Sequence, residues 1–348
     1  PLEAEEFLPA IPRKLEEDFS QGIHQQCCLS PVWDTAWAAM ALVESGMDPK
    51  SAALMKSSEW LLSKQVSQTY GDWSVKNKNG KPGGWSFEFD NEDYPDVDDT
   101  IEVLTLLHSQ GLEDPQRKEA FEKGFSWLMS MQSKNGGWAA FDVDNTMQWL
   151  NSLPFSDHGA CLDPPTPDIT ARVLEFLALI DYEKQDPALQ RALQFLLKEQ
   201  KTNGAWEGRW GVNYLYGTWC ALQALGALGE GQEAIEKAVA WLESVQNQDG
   251  GWGESCAGYL EERYVPLGKS VPSQTAWAVM GLLSVRGPEH ASTQRGLEYL
   301  MRTQNQDGSW EESAYTGTGF PGHFYIRYHG YRHYFPLMAL GKFKALVS

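Results

Sequence analysis

Lys237-Ala238-Val239-Ala240-Trp241-Leu242-Glu243-Ser244-Val245-Gln246-Asn247-Gln248-Asp249-Gly250-Gly251-Trp252 is the stretch from which the fold can be read. The aromatic-Leu pair and the glutamine four residues on fall on neighbouring turns of one helix, which a Gly-containing turn then ends. The pattern recurs as Lys123-Gly124, Trp127-Leu128, Gln132 and Gly136-Gly137-Trp138, and as Arg191-Ala192, Phe195-Leu196, Gln200 and Gly204-Ala205-Trp206. A further copy has Arg295-Gly296, Tyr299-Leu300, Gln304 and Gly308-Ser309-Trp310. A degenerate fifth reads Lys56, Trp60-Leu61, Gln65 and Gly71-Asp72-Trp73, with two extra residues before the glycine. Such self-similarity is the mark of a repeat architecture, and its Gln and Trp are scaffold: Gln capping a helix end while Trp packs against it.

Between the copies lie apolar helical stretches that open on small or polar clusters: Asp34-Thr35-Ala36-Trp37, Asp99-Thr100, Ile169-Thr170-Ala171, Gly217-Thr218-Trp219 and Gln274-Thr275-Ala276-Trp277. A sixth starts near Tyr331. These read as buried inner helices alternating with amphipathic outer ones. With residues 3–21 as a further outer helix, the expected fold is all-α: a closed (α/α)6 barrel, one domain over residues 1–348. Alternation of direction brings every inner-helix N-terminus to one mouth. Trp33, residues 96–99, Asp168, Tyr216, Gln274, Tyr328 and Tyr331 are expected there.

The chain has 47 acidic and 28 basic residues, a net charge of -19, which argues against nucleic acid or an anionic bilayer held by a basic patch. The cysteines Cys27, Cys28, Cys161, Cys220 and Cys256 are odd in number and lack metal-ligand spacing, so they read as free thiols in a reducing compartment. No apolar run approaches the roughly 18 residues a membrane span needs.

Chemistry is concentrated at Pro95-Asp96-Val97-Asp98-Asp99-Thr100, three carboxyls within four residues at the start of an apolar helix. Mutual repulsion raises at least one pKa, while the helix N-terminus favours carboxylate, and such opposing shifts hold an acid protonated yet strong. A plain N-cap and a divalent-metal site are the competing readings. Metal is disfavoured: Asp142-Val143-Asp144 follows an outer-helix turn, and Arg172 alone is available to a diphosphate. Trp33, Trp37, Phe87, Phe89, Phe141, Trp210, Tyr216, Phe320, Phe324, Tyr328 and Tyr331 all fall at inner-helix starts or their loops. Each π face there stabilises a passing cation by roughly 0.5–2 kcal/mol without supplying a nucleophile.

The Asp-x-Asp-Asp motif of residues 96–99, taken with the glutamine–tryptophan repeats, resembles squalene–hopene cyclases. Segments 30–35, 208–217 and 315–322 are also similar to that family. The resemblance implies a class II cyclase that protonates squalene or a similar polyprene. Asp98 is then the proton donor, Asp96 and Asp99 flank it, and Asp168 belongs to its hydrogen-bond network. Trp33, Phe87, Trp210, Phe320, Phe324, Tyr328 and Tyr331 line the cavity, with Tyr216 near the acid. No metal or organic cofactor is implied, and a hydro-lyase side activity accompanies the isomerase.

Two positions depart from the family pattern: Arg172 stands where a histidine is usual, and Phe141 where a tyrosine is usual. Arg stays charged and does not relay protons. Family members also carry an N-terminal second barrel, which closes the cavity and touches the membrane. Residues 1–348 are expected to correspond to the catalytic barrel alone, without that second barrel. The expectation is an open cavity, weak or no turnover alone, and a partner in that missing domain, in the same or another chain. Cytoplasmic location at the membrane periphery follows for the full-length enzyme, and the resemblance leaves room for a homodimer. The alternatives are a sister cyclase of a substrate such as tetraprenyl-curcumene, a glycoside hydrolase on the same barrel, and a scaffold half that binds a partner chain. A protein-prenyltransferase β-subunit would need an Asp/Cys/His zinc set that is not apparent.

Overall fold

The computed structural model describes residues 29–147, 149–150 and 162–348; the expected helix at residues 3–21 and Cys27, Cys28 and Cys161 lie outside the described residues. Among the described residues six inner helices carry the core: α1 (Pro31–Glu44), α3 (Val97–Ser109), α5 (Pro167–Leu179), α7 (Tyr214–Leu228), α10 (Pro272–Arg286) and α12 (Tyr331–Val347). Each packs on the next, and α12 returns to α1, so the ring closes as expected. Outside it stand α2 (Ala52–Leu62), α4 (Pro115–Ser130), α6 (Pro187–Lys198), α8 (Gln232–Ser244) and α11 (Ala291–Thr303), each paired with the inner helix before it. The short α9 (Gly258–Glu261) lies in a connection.

Side-chain distribution explains the two layers. In α6, Leu189, Ala192, Leu193 and Leu196 form one buried stripe, as an amphipathic outer helix requires. In α7, Leu228 and the whole run from Tyr214 to Leu225 are buried, which only an element covered on all sides tolerates. Proline at the first turn of α1, α4, α5, α6 and α10 starts those helices where a missing N–H costs nothing.

The repeat glutamines do not cap their own helix ends, as the spacing suggests, but stitch neighbouring units together. Gln132 Nε2 donates to Gly136 O at 2.9 Å and to Ala188 O, in the first turn of the next outer helix, at 2.8 Å. Gln200 reaches Gly204 O at 2.9 Å and Ala234 O at 2.8 Å, and Gln246 reaches Gly250 O at 2.8 Å and Ser292 O at 3.0 Å. Each repeat Trp sends its indole N–H back to the Leu carbonyl of its own outer helix, Trp206 to Leu196 at 2.7 Å and Trp252 to Leu242 at 2.9 Å. Its backbone N–H meets a threonine in the first turn of the next inner helix: Trp138 to Thr170 at 3.0 Å, Trp206 to Thr218 at 3.0 Å and Trp252 to Thr275 at 2.9 Å. Glycine is required in these turns on two counts. Gly136, Gly204 and Gly250 have φ between +91° and +97°, and a Cβ there would lie 2.4–2.5 Å from a carbonyl oxygen of the adjoining outer helix.

These contacts correct the fifth copy. Trp85, not Trp73, donates to Leu61 O at 2.7 Å and takes Thr100 Oγ1 at 2.9 Å, while Gln65 bonds Gly83 O at 2.7 Å and Ala120 O at 2.8 Å. The unit therefore ends at Gly83-Gly84-Trp85, with a long insertion after Gln65. Trp73 is a buried neighbour of Trp127, 6.3 Å between ring centroids.

Replacing Gln200 by Ala removes both of its bonds and leaves two carbonyls short of a partner. A loss of about 1–3 kcal/mol is expected, read as a lower melting temperature with the fold retained.

Two antiparallel hairpins, which the sequence does not announce, decorate the mouth. β1 (Trp85–Ser86) pairs with β2 (Pro95–Asp96), and β3 (Gly317–Phe320) pairs with β4 (Phe324–Ile326). β2 runs directly into α3 and so fixes where the acidic cluster begins.

Candidate active site

Asp96 is the N-cap of α3, its Oδ1 accepting from Asp98 N at 2.7 Å, so one carboxyl of the cluster is the helix cap and the other two sit in the first turn. All three are buried, Asp98 to 5 % exposure. Burial, more than mutual repulsion, raises their pKa values. Asp96 and Asp99 are driven well above the carboxylate range by burial and then by their neighbours' charges. Asp98 rises to about 6, because burial is offset by the Arg172 guanidinium. Arg172 Nε lies 2.6 Å from Asp98 Oδ1, a charge pair whose N–H is not aimed at the oxygen. Asp98 is thereby the acid of the three whose upward shift the arginine most directly offsets.

Asp98 faces a cavity of about 270 Å³ at the inner-helix N-termini, walled by Trp33, Phe87, Phe141, Trp210, Phe320, Phe324, Tyr328 and Tyr331. The rings brace one another. Tyr328 stacks on Tyr331 at 4.5 Å, Phe87 meets Tyr328 edge-on at 6.3 Å, and Phe141 meets Trp210 edge-on at 5.9 Å. Trp33 Nε1 donates to Tyr331 Oη at 2.9 Å, tying α1 to α12. Tyr331 closes that side of the acid.

Two loops complete the wall, held by backbone. Asp168 Oδ2 accepts from Arg209 N at 2.7 Å and from Trp210 N at 3.1 Å, and its charge adds to the upward shift at Asp98. The β3–β4 hairpin, which carries Phe320 and Phe324, is bound to the same loop by Thr318 N to Trp210 O at 3.0 Å and Thr318 Oγ1 to Arg209 O at 2.8 Å. Glu254 accepts from Asn213 N at 3.2 Å and Leu215 N at 2.9 Å, and Gln274 Oε1 takes Glu254 N at 2.7 Å, so both support the start of α7 from below.

The structure thus gathers the sequence-expected acids Asp96, Asp98 and Asp99 and eight of the nine expected substrate-facing aromatics around one space. Tyr216 is beneath it: fully buried, its hydroxyl accepts from Arg172 Nη1 at 3.3 Å. Trp37 is deeper still, 4.6 Å under the Arg172 guanidinium, and Phe89 packs on Trp60 at the surface, 6.1 Å between centroids. Sequence reading missed Glu102, which forms an ion pair with Arg172 Nη2 and rises to about 7 through burial. Its signal was present: Glu102 is four residues after Asp98, hence on the same helix face. Tyr94, Asn91 and Glu88, on the β1–β2 connection, also reach the cavity wall. Among the described residues no set of His, Cys, Asp or Glu is arranged to hold a metal ion, and no helix is long and apolar enough to cross a membrane.

A closed ring of inner helices with acids at its mouth is the barrel of the terpene cyclases. Over 96% of its length the chain superposes on 54% of ent-copalyl diphosphate synthase from Streptomyces platensis, with a TM-score of 0.64 at 20% identity, a likeness of fold alone. Residues 29–345 match the family described as squalene-hopene cyclase C-terminal domain, and the chain belongs to that family. It is 44% identical to a squalene–hopene cyclase of Zymomonas mobilis, over 95% of this chain and 51% of that protein. With the Alicyclobacillus acidocaldarius squalene–hopene cyclase it shares 49% identity over 93% of this chain and 52% of the relative. A dammaradiene synthase of Dryopteris crassirhizoma is 45% identical over 93% of this chain and 51% of that protein. The chain spans about half the length of the curated relatives it matches.

Proposed function

We propose that this chain is the proton-donating half of a class II triterpene cyclase that converts squalene to hopene or hopanol. The observation that carries this is a buried, protonatable Asp98 at the floor of a cavity walled by aromatic rings. Asp98 gives its proton to the CH carbon of the end (CH3)2C=CH alkene, whose π pair becomes the new C–H bond and whose dimethyl carbon is left as the cation. The resulting tertiary cation is attacked by the next double bond, and each attack forms a C–C bond and passes the charge along. The last cation loses a proton to give an alkene, or takes up water and then loses a proton to give an alcohol. Trp33, Phe87, Phe141, Trp210, Phe320, Phe324, Tyr328 and Tyr331 bind the chain and stabilise the moving charge by their π faces. Asp96 and Asp99, kept neutral, add no competing anion, and Asp168 and Tyr216 hold the Trp210 loop and Arg172. The site needs no metal or organic cofactor for this step.

At about 270 Å³ the cavity falls just short of the roughly 300–1,000 Å³ common for sites that enclose a drug-sized ligand. A triterpene precursor projects beyond it. We therefore assign the remaining enclosure to an N-terminal cyclase half, in the same chain or another, and contact with the membrane periphery to the assembled enzyme. Substrate and product follow from cavity shape: relatives named for hopene and for dammaradiene differ in identity to this chain by a single percentage point. Phe141 and Arg172 favour testing a sister substrate alongside squalene.

The test is to incubate this chain, alone and joined to the N-terminal half of the Zymomonas mobilis relative, with squalene and with a tetraprenyl-curcumene analogue, and to identify products by mass spectrometry. Pentacyclic products from squalene are expected only from the joined protein, because water reaching an unenclosed cation quenches it. Product from the second substrate alone would move the chain to the sister activity. Full cyclisation by the chain alone would contradict the need for enclosure.

A further inference from the structure

The reaction scheme leaves one buried carboxyl unused. Glu102 lies one turn beyond Asp98 on α3, and both are held by Arg172 of α5: Nε is 2.6 Å from Asp98 Oδ1, and Nη2 pairs with Glu102 Oε1. The guanidinium is 3 % exposed and separates two spaces. On one side is the aromatic mouth with Asp98. On the other is a cavity of about 350 Å³ among the C-terminal ends of the inner helices, reached by Glu102, Glu175, Gln223 and Lys342.

The charged and titratable groups facing this cluster reduce to three. From α3, Asp99 is pushed well above the carboxylate range by burial and stays neutral, and His108 lies further along the far cavity. From α7 and α12, the Tyr216 and Tyr331 hydroxyls and the Cys220 thiol are raised by burial and stay protonated. Lys342 of α12 is matched by Glu44 of α1 at 3.1 Å. On α1, Asp34 is taken by Tyr334 Oη at 2.8 Å and Ser30 Oγ at 2.6 Å. On α5, Asp168 is held by backbone N–H groups and Glu175, raised by burial, by Gln223. In direct contact with the guanidinium there remain two carboxyls, Asp98 and Glu102, while the Asp168 charge acts on Asp98 from further off.

Two acids on one cation titrate as a pair. With both protonated the cluster is a buried cation, with neither a buried anion, and with one proton it is neutral, the form that burial favours. In that neutral form the proton is divided between Asp98 and Glu102. Without Glu102, the neutral form has Asp98 ionised as the sole counterion, so Asp98 carries a proton only in the cationic form. We propose that Glu102 is a positioning residue for the acid: by competing with Asp98 for the single cation Arg172, it lets Asp98 keep a transferable proton in the electrically neutral cluster. Burial raises both carboxyls, Asp98 to about 6 and Glu102 to about 7, so the proton of the neutral cluster sits mainly on Glu102 and Asp98 holds the minor share that it loses without Glu102. The inference rests on Asp98 as the proton donor.

The test reads the carboxylic C=O stretch of this chain by infrared titration without substrate, assigning the Asp98 band by its loss in Asp98→Asn. In Glu102→Gln the Asp98 band is expected to titrate about 1 pH unit lower than in the unmodified chain. An unchanged midpoint overturns the proposal. The paired variant E102Q/R172Q leaves no unpaired buried charge and decides the matter should E102Q fail to fold. In it the Asp98 band is expected to persist to higher pH than in the unmodified chain, and a midpoint at or below the unmodified one overturns the proposal. In the joined protein with squalene, the alkaline limb of kcat/KM should move down with E102Q. An infrared shift in a joined protein that makes no product leaves the role of Glu102 standing and removes the cyclase reading instead.

Discussion

Asp98→Asn in the joined protein is expected to lower cyclisation by at least about 10²–10⁴-fold, the share a positioned general acid supplies, with the barrel intact. Asparagine fills the same volume but has no acidic proton. Neither neighbouring acid of the cluster replaces it: Asp96 is bound as the helix cap through its Oδ1, and burial pushes the Asp99 carboxyl well above the usual range, which makes it a weak acid. Arg172 keeps Glu102 as counterion in the variant, so no buried charge is left alone. Product yield by mass spectrometry checks the loss, and a melting temperature at or above that of the unmodified chain checks the fold. A variant that cyclises at the original rate would sink Asp98 as the proton donor.

The second large effect is on stability. Most proteins lose stability in acid because their carboxylates are better stabilised folded than unfolded. Here the important carboxyls are shifted the other way. Burial raises Asp98 and Asp163 to about 6 and Glu102 and Glu254 to about 7, and pushes Asp96 and Asp99 well above the usual carboxylate range. The sign follows from proton counts. Between the ordinary carboxylate range, about 4, and these raised values, the folded chain holds protons that the unfolded chain has shed. Their contribution is complete below pH about 4 and is lost as pH rises through 6 to 7. At about 1.4 kcal/mol per pKa unit displaced, several such groups amount to several kcal/mol, or on the order of 10 °C in melting temperature. Calorimetry at pH 5 and pH 8 should give the higher melting temperature at pH 5, and Asp98→Asn should flatten the slope. A melting temperature that rises steadily from pH 5 to 8 would contradict the burial argument.

Much of this was legible because repetition converts spacing into geometry. Gln132, Gln200 and Gln246 stand four residues before their glycines, and the helices fall where that period puts them. The same rule misled at Gln65, whose partner Gly83 lies 18 residues away, so the nearer Gly71-Asp72-Trp73 was taken instead. What identifies Trp85 is its bond to Thr100, a partner that only the folded chain brings alongside. The site divides similarly. Asp98 and the aromatics announce themselves by residue type at helix starts. Asp168 gives no sign of its task, because its partners are backbone N–H groups 41 and 42 residues on. Glu102 shares the helix face of Asp98 by its spacing, but a charged residue in a helix ordinarily faces solvent, and its pairing with an arginine of another helix is not readable from that spacing.

The lengthened first turn has a practical consequence. Between Gln65 and Gly83 the chain makes an excursion of 18 residues where sister turns use four, yet the glutamine keeps both of its carbonyl partners. Closing a loop of that greater length costs little, about 0.6 kcal/mol per doubling. The turns at Asn135, Asn203 and Asp249 have the same pair of glutamine bonds. They are natural docking bays for grafted sequence, sites where a tag, a binding peptide or a tether to an electrode or a support can be inserted while the acid and its aromatic walls stay undisturbed.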